Sequence, residues 1–341
     1  MINKNTNLKN WLNIEFPQFG YLHEVTKFDL GQSNPTYLLI FEENKLVLRS
    51  KPIGNLLRGA HRIDREFKVM ESLNNSKIPV PRMIQYCNDE NVIGSEFFLM
   101  DYVDGVIEKE PELKGYTEAQ KEKIYNKKLD LLINLAKLDL NTLKLENYGK
   151  PTNFLGRQID LWINQYRASQ TKYISSMEFL INNLSNNIPK IINKLSPVLT
   201  HGDFRLDNMI FSKNNEIAAL LDWELSTLAP PFIDLSYWCL MLRFEKDWPI
   251  AGLGFQNGEK RVPGIPSEKN ILDAYSKSLG YDIGKSWNFL LSFNSFRFAG
   301  ILQGITKRLK DGNNAGSDAK EVSFLTEPVA NMGKHFLESY L

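Results

Sequence analysis

The chain has 341 residues, 43% hydrophobic and 24% charged, enough apolar content for a sizeable core in two domains or one bilobed unit. A formal net charge of +1 provides no global field for nucleic acid or an anionic membrane, so neither is an expected partner. Two distant cysteines, Cys87 and Cys239, and four scattered histidines give no zinc or redox spacing. The first twenty residues lack the apolar core of a secretory signal. No apolar run reaches the roughly 18 residues of a membrane span, so a soluble cytoplasmic protein is expected.

The first hundred residues read as short strands around one helix. "TYLLIF" (36–41), the turn "EENK" and "LVLRS" (46–50) have the alternation and turn chemistry of a β-hairpin. Ahead of it lies "GQSNPTY", a small-residue loop containing Ser33 and Asn34. "AHRIDREFKVMESL" (60–73) places Ile63, Phe67, Met70 and Leu73 at helical spacing, and "KIPVPR" stops it. "FFLMDYV" (97–103) is a buried strand, broken by Asp104-Gly105, where the lobe boundary is expected. From residue 117 the chain turns helical. Thr117 caps one helix, and further helices are expected at 154–173, 267–280 and 286–310. "KDGNNAGSDAK" (310–320) is loop-like.

The densest polar stretch is "LTHGDFRLDNMIF" (199–211), followed by "SKNNE" and "IAALLDW" (217–223). The two apolar pieces read as strands of a hairpin. The midpoint between 208 and 222 is 215, and Asn215 lies in the turn, so Asn208 and Asp222 are expected together at the open end. An amide oxygen and a carboxylate suit Mg²⁺, a hard cation that completes its shell with water and phosphate. Asp203, in the loop feeding the hairpin, is placed to orient an attacking hydroxyl and accept its proton. This is the parts list of kinase-type phosphoryl transfer. The remaining parts occur upstream in the expected order. "GQSNPTY" offers a phosphate loop with Ser33 and Asn34, Arg49 a strand cation, and Glu66 an inward-facing helix carboxylate to hold it.

Each part has a plainer reading. Asp203, Asn208 and Asp222 are residue types that favour turns and caps, as are Ser33 and Asn34. Arg49 and Glu66 could form a structural ion pair only. His201 reads better as a loop-bonding side chain than as a base, and Glu224 as a metal helper or a loop anchor. The basic run Lys51, Arg58, His61, Arg62, Arg65 and Lys68 is a solvated helix face or the contact for a phosphate-rich substrate such as a CoA ester.

Taken together, "GQSNPTYLL", "LVLRSKPIGNLLRGAHRIDREFKVM", "VIGSEFFLMDYVDG", "FLGRQIDLWINQYRAS", "LTHGDFRLDNMIF", "LLDWELSTLAPPFIDLSYW" and "SFRFAGILQGITKR" resemble the aminoglycoside phosphotransferase and choline kinase superfamily. Within it, the resemblance is to the kinase-like N-terminal portion of acyl-CoA dehydrogenase family members ten and eleven and to free-standing bacterial relatives. No dehydrogenase segment is expected in this chain. The resemblance implies an α+β, bilobed protein-kinase-like fold. A small β-rich N-terminal lobe with one key helix (1–103) and a larger, mainly helical C-terminal lobe (104–341) would bind Mg-ATP between them, with GTP as the alternative nucleotide. It implies Asp203 as catalytic base, Asn208 and Asp222 as metal ligands, and Arg205 on the transferred phosphoryl group. Met100, Asp101, Tyr102 and Val103 become the adenine-binding hinge, and Asp234 a brace for the catalytic loop.

Three departures stand out. Arg49 replaces the usual lysine with a planar cation, Leu138-Asp139 replaces Leu-His, and Ala229-Pro230 replaces a glycine-containing turn. The implied acceptor is a small-molecule hydroxyl, with a hydroxyacyl-CoA or hydroxy acid first. An aminoglycoside or amino alcohol is the alternative, although the mixed charge and aromatic content of the C-terminal half do not favour a polycation. A nucleotide-binding pseudokinase is a second class, and a metal-dependent hydrolase a third, disfavoured by the missing carboxylate/histidine cluster. Oligomeric state is not specified by the sequence.

Overall fold

The computed structural model describes residues 6–28, 34–53, 61–150, 152–250, 252–254, 262–312 and 319–341. By contacts the chain divides into two compact units. The first comprises Met1–Ile107, Leu143–Leu145 and Asn208–Ser226, and the second Glu108–Thr142, Glu146–Asp207 and Thr227–Leu341. Residues 208–226 therefore pack with the N-terminal part despite following Glu108–Thr142 and Glu146–Asp207 of the other unit.

The first unit is built on an antiparallel sheet of β1 (Leu22–Lys27), β2 (Thr36–Phe41), β3 (Lys45–Ser50), β4 (Met83–Cys87) and β5 (Phe97–Asp101), in the order β1-β2-β3-β5-β4. The expected β2–β3 hairpin forms, closed by a bond from the Phe41 N–H to the Asn44 carbonyl at 2.9 Å. Period-2 alternation divides β3 between two faces. Leu46 and Leu48 join a core with Leu8, Leu12 and Phe16 from or beside the helix α1 (Thr6–Glu15). Trp11 on that helix meets Phe97 edge-on at 5.2 Å. Val47 and Arg49 therefore face the other way, toward α2 (Ile63–Leu73), whose Glu66, Val69, Met70 and Leu73 are buried.

Beside this sheet runs a smaller one of Val106–Ile107, Met209–Phe211 and Ile217–Leu220. Asn215 turns its hairpin with a positive φ of 59°, a conformation asparagine tolerates. Gly105 leads into the first strand, and a Cβ there would run into the Ile210 side chain and the Phe211 carbonyl.

The second unit is mainly helical. Its long helices are Glu118–Ala136, Phe154–Ser169, Ser175–Leu184, Ile233–Arg243, Glu268–Leu279, Ser286–Lys310 and Thr326–Tyr340. Thr117 makes the expected capping box with Gln120. Ser286–Lys310 is the axial helix, buried on most sides and packed against Thr326–Tyr340, Phe154–Ser169 and Ile233–Arg243. Two of its buried amides donate to neighbouring helices: Asn294 to the Ser236 hydroxyl at 2.8 Å, and Gln303 to the Ser169 carbonyl at 2.8 Å. Arg243 forms a two-pronged pair with Glu268 at 2.6 and 2.8 Å, and Trp287 donates to the same carboxylate at 2.8 Å. A two-stranded ladder of Val198–Thr200 and Thr227–Ala229 enters and leaves the segment belonging to the first unit. Among the described residues no helix is long and apolar enough to cross a membrane.

The α+β architecture is as expected, with an antiparallel N-terminal sheet and a mainly helical remainder. The 154–173 helix is shorter than its sequence pattern, ending at Ser169. Residues 313–318 of the expected loop lie outside the described residues. Replacing Gly105 by alanine should force the strand pairing apart and cost about 1–3 kcal/mol. A urea unfolding curve reads this as a lower midpoint, and an unchanged midpoint would show that the close approach is not constraining.

Candidate functional site

In the first unit the centre is Arg49. It stands on the α2 side of β3, opposite Thr36 on one neighbouring strand and Phe98 on the other. Its Nε donates to Glu66 Oε2 at 2.9 Å and its Nη2 to Asp222 Oδ1 at 2.6 Å, while Glu224 Oε2 lies 4.0 Å from Nη2. One buried guanidinium thus faces three carboxylates, an excess of two formal negative charges when all are ionised. Burial pushes the Glu66 carboxyl up to about 7, with Arg49 opposing the rise and Asp222 and Glu224 adding to it. Burial works against the Arg49 charge, but its three carboxylate neighbours outweigh that and hold the guanidinium protonated.

The hairpin supplies the other members. The Leu221 N–H donates to the Asn208 carbonyl at 2.8 Å, and Met209 pairs with Leu220. Asn208 therefore stands opposite Leu221, and Asp222 is one residue beyond. The midpoint at 215 is offset because the turn closes between Ser212 and Glu216, centred one residue earlier. A bulge between Ile210 and Phe211 recovers part of the difference, leaving Asp222 one residue from Asn208's partner. Asp222 adopts the left-handed conformation, φ 63° and ψ 62°, uncommon for a residue with a side chain and concentrated at functional positions. Trp223, fully buried, anchors the following turn by donating Nε1–H to the Leu220 carbonyl at 3.0 Å.

Asn34 is buried and donates its amide to Glu224 Oε2 at 3.1 Å. Ser33 lies outside the described residues. In the Met100 to Val103 segment, the Asp101 N–H donates to the Arg82 carbonyl at 2.9 Å and the Tyr102 N–H to the Lys45 carbonyl at 3.3 Å. The Asp101 carboxylate pairs with Arg82 at 2.9 Å.

In the second unit the loop around Asp203 is held by buried Asp234. The His201 N–H donates to Asp234 Oδ2 at 2.6 Å and the Gly202 N–H to Oδ1 at 2.9 Å. Gly202 has φ 86°, so the turn between these two bonds calls for glycine. Burial raises the Asp234 carboxyl, although both N–H bonds and His201 oppose it. His201 takes the Asp203 N–H on Nδ1 at 3.2 Å, the loop-bonding arrangement weighed for it from sequence.

The Asp203 carboxylate accepts from the Tyr237 hydroxyl at 2.8 Å and faces Arg205 Nε at 3.1 Å. Burial would raise this acid, but Arg205, His201, Tyr237 and Arg297 outweigh it and hold it below its ordinary value. Asp203 is therefore an ionised acceptor at neutral pH, suited to orienting a hydroxyl. Arg205 is itself clamped, with its Nη2 also 3.1 Å from Asp207. Sequence reasoning missed Tyr237 and Arg297, the latter donating to the Gly202 carbonyl at 2.9 Å. Tyr237 follows Asp234 by three residues, one helical turn, and that spacing was the available signal. Lys128 was also missed. Its ammonium lies over the rings of Trp238 and Phe204, 4.5 and 5.3 Å from their centroids.

Residues 24–268 match the phosphotransferase enzyme family described under the name APH. The chain belongs to the phosphotransferase enzyme family. Acyl-CoA dehydrogenase family member 10 of Mus musculus is 40% identical over 314 residues, covering 92% of this chain and 29% of that protein. Family member 11 of Rattus norvegicus is 36% identical over 332 residues, covering 96% of this chain and 42% of its own length. The chain thus spans well under half of the curated relatives it matches. A crystal structure from Ralstonia eutropha JMP134, provisionally described as an aminoglycoside phosphotransferase, is 35% identical with a TM-score of 0.86 and 98% coverage of both chains. The ADP-bound aminoglycoside phosphotransferase APH(2'')-Ib shares the fold at 17% identity and TM-score 0.59, covering 96% of this phosphotransferase-family chain and 99% of its own.

Two outcomes follow for the Asp203 loop. Asp234→Asn offers one carbonyl oxygen to two N–H groups and should cost about 1–3 kcal/mol, read as a lower urea midpoint; an unchanged midpoint would remove Asp234 as the brace. Burial pulls the Lys128 ammonium down to about 7, from 10.5. Between about pH 7 and 10 the unfolded chain then holds a proton that the folded chain has released, so this group's contribution to stability rises with pH. Lys128→Met removes that rise: relative to wild type, the variant should be more favoured by about 1–3 kcal/mol at pH 7 than at about pH 9.5. Parallel stability curves for the two proteins would contradict it.

Proposed function

We propose that this chain transfers the γ-phosphoryl group of Mg-ATP to a hydroxyl on a small molecule. The observation that carries the reading is the Arg49 guanidinium bonded at once to Glu66 and Asp222. A strand cation held by a helix carboxylate beside a metal-binding aspartate is the arrangement kinase-type phosphoryl transfer requires. Arg49 would pair with the α- and β-phosphates, with the planar fork of arginine in place of lysine. Asn34 and Ser33 would serve the phosphate loop.

Asn208 and Asp222 are the residues that would hold Mg²⁺. Two observations favour that cation: the surplus of carboxylate charge around Arg49, and a donor set of one amide and one carboxylate that leaves other positions to phosphate and water. Among the described residues no cluster of three or more His, Cys, Asp or Glu forms an alternative metal site. Bound Mg²⁺ would supply charge neutralisation on the phosphates.

Asp203 would orient the acceptor hydroxyl and take its proton as the O–P bond forms, and Arg205 would stabilise charge on the moving phosphoryl group. For adenine the Met100 to Val103 segment would serve as the hinge, with the N–H groups of Asp101 and Tyr102 already committed to carbonyls and Met100 paired within the sheet. Similarity to proteins named as acyl-CoA dehydrogenase family members supports a hydroxyacyl-CoA or related hydroxy acid as acceptor.

The test measures nucleoside diphosphate release across hydroxyacyl-CoAs, amino alcohols and aminoglycosides, as ADP from ATP and then as GDP from GTP. On the best acceptor, Asp203→Asn should lose about 10²–10⁴-fold in kcat while retaining nucleotide binding. Full turnover by that variant would end the base assignment. Asp222→Ala should abolish Mg-dependent nucleotide binding, and an unaltered Mg²⁺ requirement would end the metal assignment.

A further inference from the structure

His61 is absorbed by none of these roles. It stands two residues before α2 with φ 56°, a left-handed conformation unusual for a side-chain-bearing residue, and its carbonyl accepts the Ile63 N–H at 2.9 Å. Its Nδ1 lies 3.0 Å from Asn34 Oδ1, and Asn34 Nδ2 lies 3.1 Å from Glu224 Oε2. The chemistry orders the hydrogens along this chain. An ionised carboxylate only accepts, so the Asn34 amide must turn its NH₂ toward Glu224. The carbonyl oxygen of Asn34 then faces the ring and also only accepts. The proton between them therefore belongs to His61 Nδ1.

Glu224 Oε2 is 4.0 Å from Arg49 Nη2, the same nitrogen that bonds Asp222 at 2.6 Å. A carboxylate at that distance competes for the guanidinium, and the Asn34 amide holds it back. We propose that His61 is a positioning residue for the nucleotide-binding residues of this unit. By donating from Nδ1 to Asn34, it fixes the amide against Glu224 and keeps Arg49 Nη2 committed to Asp222. The inference rests on the phosphotransferase reading for its functional consequence, while the proton placement stands on geometry alone.

Two variants separate ring from backbone. His61→Gly relieves the positive φ and removes the donor. His61→Asn also tolerates that backbone conformation, and its Nδ2 takes the place of ring Nδ1. Calorimetric titration with the non-hydrolysable nucleotide AMP-PNP, with and without Mg²⁺, should show His61→Gly weakened about 10-fold in the presence of Mg²⁺. His61→Asn should remain within about 3-fold of wild type, the difference reporting a retained hydrogen bond. In turnover, KM for the nucleotide should rise in His61→Gly while KM for the acceptor holds. Equal binding by wild type and His61→Gly overturns the proposal, as does a loss of the same size with and without Mg²⁺. Independently of any nucleotide, ¹⁵N spectra of the imidazole should show Nδ1 protonated, and an Nε2–H neutral ring overturns the clamp. A wild-type protein that binds no Mg-nucleotide refutes the phosphotransferase reading and the functional part of this inference with it. That outcome is recognised by the wild type itself being inert.

Discussion

A buried guanidinium with three carboxylates around it is a costly arrangement, and the first unit is organised around meeting that cost. Ion pairs removed from water are seldom the most stabilising use of a core position. Arg49 is faced by three carboxylates from two separate places: Glu66 from α2, and Asp222 and Glu224 from beyond the hairpin of Met209–Phe211 and Ile217–Leu220. Strand alternation decides that Arg49 faces α2 and not the apolar core beside α1. Helical spacing decides that Glu66 shares the buried face of Val69 and Met70. The left-handed backbone at Asp222 completes the set. Such local expense is typical of residues kept for chemistry.

The loop of Asp203 follows a different physical logic. Its shape is set by backbone bonds to one buried carboxylate, that of Asp234, and by the positive φ at Gly202. Its charge state is set by side chains above and around it. Tyr237, Arg205 and Arg297 overcome the burial that would otherwise neutralise Asp203. Shape and charge overlap at two residues: Arg297, which also bonds the Gly202 carbonyl, and His201, which also takes the Asp203 N–H, contribute to both.

Local patterns made much of this legible in the amino-acid sequence. The β2–β3 hairpin, α2, the Thr117 cap and the Ser286–Lys310 helix each carry their own turn, period or cap. Arg49 and Glu66 could be paired because strand and helix periods both turn them inward. The hairpin register differs by one because several polar residues in a row, Ser212 to Glu216, leave the exact centre of the turn unmarked, and a bulge beside it makes up only part of the offset. Ile233–Arg243 was harder to foresee as a helix because it is buried almost all round, which erases the amphipathic stripe. Tyr237, Arg297 and Lys128 come from three different helices, and only folding brings them to one loop. Asp234 was reachable through family resemblance alone.

The path of the chain has a consequence for how the protein is made. Asn208–Ser226 belongs to the first compact unit, yet the ribosome delivers it after most of Glu108–Asp207, which belongs to the second. Arg49 and Glu66 thus emerge long before Asp222 and Glu224, and until then a buried guanidinium has only one of its three carboxylates. The amino-terminal sheet must wait through the synthesis of more than a hundred residues for its remaining charge partners. A gene fragment ending at residue 107 encodes a continuous stretch of sequence but not a finished folding unit.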